Sequence, residues 1–424
     1  MPFESEEDLP TPTSTAPTST APTSTARLVL RWFAMLCVPV IAVATWSLVS
    51  ALRAPSNLSA SEKAVEWLRG HHYGDTVSQV EGWYYSQNQP ATGGTLTSLP
   101  VGISNGAANS TATTSHTTSA NATTSNTTTS HTTTTHTTST VHATTTTAAG
   151  IQPLVANPLP GEGVWQPFGD FVGGRPAMQV TYLRPDTIHG SLLAAVVRID
   201  QTLASLRLVP GTTEPGGSWP ASTQLGDRTR SSLLAAFNAG FRMADSRGGF
   251  ALNGQVSGNI RTGAATAAIA TDGTLTVGMW GRDISAANHP VAIRQNLDLI
   301  VDGGRLVDGL DSNAGNRWGR TVGNALYVWR SGVGVDAQGR LIYVASKGLT
   351  VKTLAALLQR AGAVRAMELD INYSWVTFNS FHHNPDGSLT GTKLLSNMKK
   401  SANRYLQPDA RDYFAVVARS PLGS

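Results

Sequence analysis

The residues most able to do chemistry lie in one short run near the C-terminal end, Glu368-Leu369-Asp370-Ile371-Asn372. Read as a strand, alternate residues share a face. Met367, Leu369 and Ile371 then point into a core, and Glu368, Asp370 and Asn372 are presented together on the other side. Two carboxylates beside an amide suit acid–base work, although a solvated strand face would show the same spacing. A second cluster is Arg330-Ser331-Gly332-Val333-Gly334, with Arg320-Thr321 a little earlier. A guanidinium beside a hydroxyl and backbone donors fits a phosphate or carboxylate, and Gly332 and Gly334 leave room for its close approach. Asn238-Ala239-Gly240-Phe241 and Asp302-Gly303-Gly304 are polar turns that each follow an apolar run.

The elements that must position these residues read as many short strands with few helices. Met178 to Tyr182, Leu192 to Asp200, Ser205 to Val209, Ser231 to Phe237, Asn296 to Val301, Val364 to Ile371 and Tyr413 to Ala418 have strand composition between Pro, Gly or Asp breaks. Asp272-Gly273 marks one hairpin and Ala337-Gln338-Gly339 a second. Thr350 caps a helix with an apolar stripe of Leu354, Leu357 and Leu358 and a stop at Gly362. This predicts an α+β domain over 161–424, a mixed, mostly antiparallel sheet with one or two packed helices.

The rest of the chain is organised differently. Between Gly82 and Gly161 there is no Asp, Glu, Lys or Arg, and from Asn109 to Thr147 nearly every residue is Thr, Ser, Ala, Asn or His. Such a segment has nothing to bury and cannot offset the entropy of ordering its backbone, so 91–160 is predicted to be a disordered stalk. Residues 1–27 carry three copies of Pro-Thr-Ser-Thr-Ala and read as a disordered cytoplasmic tail.

Residues 28–52 hold about 21 consecutive uncharged positions, enough to span about 30 Å of hydrocarbon as a helix. They are predicted to form a single transmembrane helix, with Trp32 and Trp46 at the interfaces. The expected location is therefore the cell membrane, with the C-terminal domain extracytoplasmic. Residues 53–90 form a juxtamembrane segment with a short helix from Ser61 to Arg69, and Ser61 is its expected cap. The aromatic group Gly82-Trp83-Tyr84-Tyr85 is left open between the membrane interface and the globular domain.

Composition excludes several function classes. The 31 basic and 27 acidic residues leave a formal charge of +4 with no basic block, and no nucleic-acid-binding module is present, so no nucleic-acid partner is expected. The single cysteine, Cys37, falls in the apolar segment, which leaves the outer domain without disulfides. No GxSxG, HExxH, Walker, EF-hand or CxxC pattern occurs. Nothing calls for a metal or other cofactor.

The order Asn238-Ala239-Gly240-Phe241, Asp302-Gly303, Arg330-Ser331-Gly332-Val333-Gly334, Leu349-Thr350 opening a helix, and Leu369-Asp370 resembles the phosphodiester glycosidase family, over roughly Leu233 to Ser374. Glu-Leu-Asp-Ile-Asn, with Glu66-Trp67, is similar to its membrane-anchored bacterial members. The resemblance implies an extracytoplasmic, membrane-anchored hydrolase that cleaves a sugar–phosphodiester bond in a carbohydrate phosphodiester or cell-envelope glycan. It implies Asp370 and Glu368 as catalytic carboxylates, with Arg330 and Ser331 as phosphate holders. Asn238, Asn372 and Asp302 complete the expected substrate site. In the family's pattern the Asp opens an Asp-Gly-Gly-Gly-Ser loop, whereas here Asp370-Ile371-Asn372-Tyr373-Ser374 carries no glycine. A non-catalytic cell-wall or carbohydrate-binding module on the same fold is the alternative.

Overall fold

A computed structural model describes residues 24–54, 58–100, 150–219, 223–319 and 326–422. The stalk between 101 and 149, the tail before Ser24 and the pair Arg320-Thr321 lie outside the described residues. The chain divides into two compact units, one formed by residues up to Pro55 with Ser59–His71, the other by Ser56–Leu58 with His72–Ser424.

The first unit is a helical pair. Helix α1 (Ser24–Arg53) contains the segment expected to cross a membrane and carries Pro39 in its interior. Among the described residues, no helix is long and apolar enough to cross a membrane. Helix α2 (Ala60–Gly70) begins one residue earlier than expected, because its cap is Ser59 rather than Ser61. Ser59 accepts from the Glu62 backbone N–H while the Glu62 carboxylate accepts from that of Ser59, closing a capping box. Lys63 Nζ donates to the carbonyls of Leu52 (3.0 Å) and Ala54 (2.7 Å) at the end of α1. Trp67 Nε1 donates to Ser47 Oγ at 3.0 Å.

In the second unit, three antiparallel sheets carry the fold. The central sheet runs in the order Gln166–Pro167, Met178–Leu183, Ala194–Ile199, Leu341–Leu349, Val328–Asp336, Ala363–Asp370, Leu299–Asp302 and Arg305–Leu306. A second sheet runs Leu275–Met279, Ala265–Ile269, Ala292–Gln295, Phe250–Leu252 and Gln255–Ser257. The third runs Leu389–Lys393, Phe378–His383, Leu233–Asn238, Tyr413–Ala418 and Ala204–Val209. Each pairing between these named strands is antiparallel, in keeping with the mostly antiparallel sheet expected.

Four further α-helices occur among the described residues, beginning with α3 (Gly74–Gln87) and the short α4 (Asp227–Arg230) and α5 (Met243–Ser246). The last, α6 (Val351–Arg360), is capped by Thr350, which accepts from the Thr353 N–H. Its Leu354, Leu357 and Leu358 are buried against Ile342, Val344 and Ala366 on one face of the central sheet. The opposite face, with Val333, Tyr343, Met367 and Leu369, packs on Phe237, Phe378 and Phe414 of the third sheet. The central sheet is therefore buried on both sides.

That burial changes the meaning of two glycines. A Cβ on Gly332 would meet Leu358 Cδ1 and the Met367 carbonyl oxygen, each at 3.0 Å. On Gly334 it would meet the Arg365 carbonyl oxygen at 2.7 Å and Ala363 Cβ at 2.9 Å. The space expected for a ligand is occupied by α6 and the neighbouring strand. Gly334→Ala is accordingly expected to destabilise the domain by about 1–3 kcal/mol, as overpacked cores do. Equilibrium denaturation would measure it, and Gly339→Ala, in the open turn of the same hairpin, serves as the comparison for a purely conformational cost.

Candidate active site

The strand Leu233–Asn238 ends with the Asn238 side chain in the seam between the third and central sheets. Its amide nitrogen donates to Ser331 Oγ at 3.0 Å. Its oxygen accepts from the Tyr343 hydroxyl and from the Thr377 N–H, both at 3.2 Å. Ser331 stands opposite Asp370 across the strand pair Val328–Asp336 and Ala363–Asp370. Asn238, Ser331 and Asp370 are thus brought together, as the sequence suggested. Tyr343, in an apolar strand, and Thr377, in the loop before the strand Phe378–His383, complete the group without any sequence signal of their own.

After Asp370 the chain turns without glycine. The Asn372 N–H donates to Asp370 Oδ1 at 2.9 Å, and the Ser374 N–H donates to Asn372 Oδ1 at 2.8 Å. The Trp375 and Val376 N–H groups then donate to the Asn372 carbonyl. These successive side-chain turns are what Asp and Asn do well. None of residues 371–374 adopts a positive φ, so the glycines of the family's loop are not needed for backbone freedom here.

Asp370 itself is 3 % exposed. Burial raises its pKa from the ordinary 3.8 to about 7, and the Arg411 guanidinium together with the Asn372 and Ile371 N–H groups opposes that rise only in part. Arg411 Nη1 lies 3.9 Å from Asp370 Oδ2. This is long for a hydrogen bond and close enough for electrostatic coupling.

Glu368 and Arg330 are elsewhere in function if not in sequence. Glu368 is fully buried, and Arg330 is 2 % exposed. Arg330 Nη1 donates to Glu368 Oε1, and its Nε donates to the Leu349 carbonyl at 2.8 Å. Desolvation raises the Glu368 pKa, and Arg330 opposes it. The expectation of Glu368 and Asp370 on one accessible face fails because the strand pairing slips between Ser331–Asp370 and Gly332–Glu368, which turns Asp370 with Ser331 toward the third sheet and leaves Glu368 under α6. The expectation of Arg330 as a phosphate holder meets a difficulty of its own, since its guanidinium is already engaged inside the protein.

Asp302 belongs to a surface network with Arg282 at 2.7 Å and Arg365 at 3.7 Å. Because Asp370 is five residues beyond Arg365 on the same strand, at roughly 3.3 Å per residue, Asp302 stands apart from the Asn238–Ser331–Asp370 group. Asn372 remains with it through the turn.

The Asn238-Ala239-Gly240-Phe241 turn has its own brace. Arg294 and Asp412, both fully enclosed, form an ion pair at 2.6 Å, and Arg294 also donates to the Phe241 carbonyl. A Cβ on Gly240 would meet Arg294 Cζ at 3.2 Å, so this glycine makes room for the guanidinium. On the outer side, α3 docks onto the loop that follows Asp370. Tyr85 packs with Val328, Ile371 and Tyr373, and its hydroxyl accepts from the Tyr373 N–H at 3.4 Å. That resolves the aromatic group in favour of the globular domain for Tyr85, while Trp83 is exposed.

Breaking a buried ion pair leaves an uncompensated charge. Arg330→Met is therefore expected to cost about 3–5 kcal/mol in chemical denaturation, contrary to the small effect expected of a ligand-holding residue. Adding Glu368→Leu should recover most of it, and failure of the double variant to recover would show that Arg330 acts through contacts other than Glu368.

Comparison with known proteins places these features. The phosphodiester glycosidase family model matches residues 231–388, a span that holds Asn238, Ser331 and Asp370 and does not reach α1 or Glu66-Trp67. No curated protein matches the chain. Among solved structures, the chain is similar to the catalytic domain of zebrafish N-acetylglucosamine-1-phosphodiester alpha-N-acetylglucosaminidase, auto-inhibited by its pro-peptide. That similarity has 19 % identity and a TM-score of 0.37, covering 60 % of this chain and 87 % of that one. It is also similar to a hypothetical protein from Synechocystis, with 15 % identity and a TM-score of 0.34, covering 58 % of this chain and 63 % of that one. The match to the phosphodiester glycosidase family is thus confined to residues 231–388, less than half of the chain.

Proposed function

We propose that this domain hydrolyses the bond between a sugar and a phosphodiester oxygen, with Asp370 as the reacting carboxylate. The observation that carries the reading is a buried carboxyl with a pKa of about 7, set beside the Asn238–Ser331 pair in a domain of this family. A group that titrates near neutrality can both take and return a proton under working conditions.

In the reaction, water attacks the anomeric carbon and the bond from that carbon to the phosphate oxygen breaks. The proton lost by water goes to the Asp370 carboxylate, and the phosphomonoester departs as an anion without needing a strong acid. The proton then passes to the product phosphate or to solvent, so charge and atoms balance. Asn238 and Ser331 orient the sugar or the attacking water. Glu368 and Arg330 support the strand from its other face and do not meet substrate.

We further infer that α1 holds the domain at the outer face of a membrane. The support is a run of exposed apolar side chains, Val38, Val40, Ile41, Val43 and Trp46. Recovery of the chain in the soluble fraction after cell breakage, without detergent, would oppose this.

Incubation of the full chain with a panel of sugar-1-phosphodiesters should release free sugar. Asp370→Asn should lower turnover at least a hundredfold, about 2.7 kcal/mol of barrier, with the domain still folded. In the parent enzyme kcat/KM should fall as pH drops below about 7, because the carboxylate becomes protonated. A parental rate in Asp370→Asn would remove Asp370 from the chemistry, and no release from any substrate would favour the binding-module reading.

The same raised pKa has a consequence for folding. A carboxyl whose folded pKa exceeds its unfolded one contributes stability that is complete below the ordinary value of 3.8 and is lost as pH rises through about 7. Asp370→Asn should therefore become progressively more stable relative to the parent between those limits, by up to about 1.4 kcal/mol per pH unit. Melting curves of both proteins at pH 4.5 and pH 8 would read this difference.

A further inference from the structure

Away from Asp370, one carboxylate gathers two imidazoles. Asp170, just ahead of the short strand Phe171–Val172, accepts from His382 Nδ1 at 2.6 Å. It also accepts from the backbone N–H and the ring Nδ1 of His383, both at 3.0 Å. The second ring nitrogen of His383, Nε2, lies 3.1 Å from the Arg230 carbonyl at the end of α4. The group is largely enclosed, with the His383 side chain 19 % and that of Asp170 10 % exposed.

An ionised carboxylate and a carbonyl oxygen can each accept a hydrogen bond and cannot donate one. A neutral imidazole has one N–H and one lone pair, so it satisfies one of these neighbours and turns a lone pair toward the other. The imidazolium donates to both. We propose that His383 is held as an imidazolium latch that ties Asp170 and the strand Phe378–His383 to α4, and that the latch opens when the ring gives up its proton. The other charged groups nearby do not take over this role. His382 shares the same carboxylate, and the Arg230 guanidinium turns away to the carbonyls of Leu225 and Leu406. Asp227 and Arg228 of α4 are exposed, and so is Asp386 in the turn after the strand, which accepts from Ser388. Burial of the ring opposes its charge, but Asp170 and the Arg230 carbonyl outweigh that effect and raise the His383 pKa above the ordinary 6.5. The latch therefore contributes stability that is complete below 6.5 and is lost as pH rises through the raised value. What it holds is a wall. Thr229 of α4, with Leu225 and Gly226 before it, lines a cleft of about 420 Å³ that Leu252 and Ile269 of the second sheet line as well. His383 is six residues beyond Thr377 in extended chain, at roughly 3.3 Å per residue, so the latch is remote from Asn238 and its test needs no substrate.

The test uses the full chain. Ring-nitrogen NMR at pH 6 should find both His383 nitrogens protonated. Hydrogen exchange should be followed at the Arg230 and Ser231 amides, which donate to the Gly226 and Asp227 carbonyls, with the intrinsic pH dependence of exchange divided out. Their protection in the parent should fall at least about threefold between pH 6 and pH 9, as linkage to a raised pKa requires. His383→Gln, which does not titrate, should show no such step, and His382→Gln should keep it. Should His383→Gln fail to fold, Asp170→Asn reads the latch instead, by moving the step to lower pH. One protonated nitrogen on His383 at pH 6, or parental protection that ignores pH, overturns the proposal. So does a step that persists in folded His383→Gln or stays in place in Asp170→Asn.

Discussion

The site depends on one side-chain amide. Asn238 sits where the third sheet meets the central one, and its oxygen and nitrogen engage Tyr343, Thr377 and Ser331 together. Two of those partners belong to the central sheet and one to the loop leading back from Asp370. Buried as they are, each of these polar groups would carry a substantial desolvation cost if left unpaired. The amide satisfies them at once, and in doing so fixes the register of two sheets at the point where Asp370 emerges. An aspartate at 238 could accept but not donate, and an apolar residue could do neither, so Ser331 and Tyr343 would lose their common anchor.

Around this anchor the protein buries charge in two ways. Arg330–Glu368, Arg294–Asp412 and Arg404–Asp409 are intimate pairs, enclosed and mutually neutralising. They brace the central sheet from the α6 side, the turn after Asn238, and the segment behind Trp375. Asp370 is treated differently. It is as enclosed as those acids, yet the nearest guanidinium stands 3.9 Å away and does not close on it. Desolvation then outweighs attraction, and the carboxyl titrates near neutrality instead of remaining a fixed charge. The contrast between intimate pairs and this one more distantly attended acid is what singles Asp370 out as a candidate for chemistry.

Much of the fold was legible in the sequence, because strand composition and turn residues are local signals. The hairpin at Asp272-Gly273 and the helix capped by Thr350 needed nothing more. Reading Glu368 and Asp370 as one accessible pair relied on the period of two alone, which the slip in pairing between Gly332–Glu368 and Ser331–Asp370 breaks and which does not say what covers a face. Here α6 covers the Glu368 face, and Gly332 and Gly334 are the marks of that cover. In a sequence they look the same as glycines that admit a ligand. Asp170 and His383 were illegible for a related reason. Their meeting is made by the path of the chain between them, and no spacing rule encodes it.

The loop after Asp370 turns without glycine. Glycine is valuable where φ must be positive or where a side chain would collide. Residues 371–374 need no positive φ, because Asp370 and Asn372 each fold the next backbone N–H groups onto their own side-chain oxygens. Side-chain hydrogen bonds thus do the work of backbone freedom, and they add something glycine cannot. The side chains of Ile371 and Tyr373 meet Tyr85 of α3, so a segment far away in sequence is packed against the turn that follows Asp370. Ile371 and Tyr373 therefore join α3, the N-terminal part of the unit, to the end of the strand that carries Asp370.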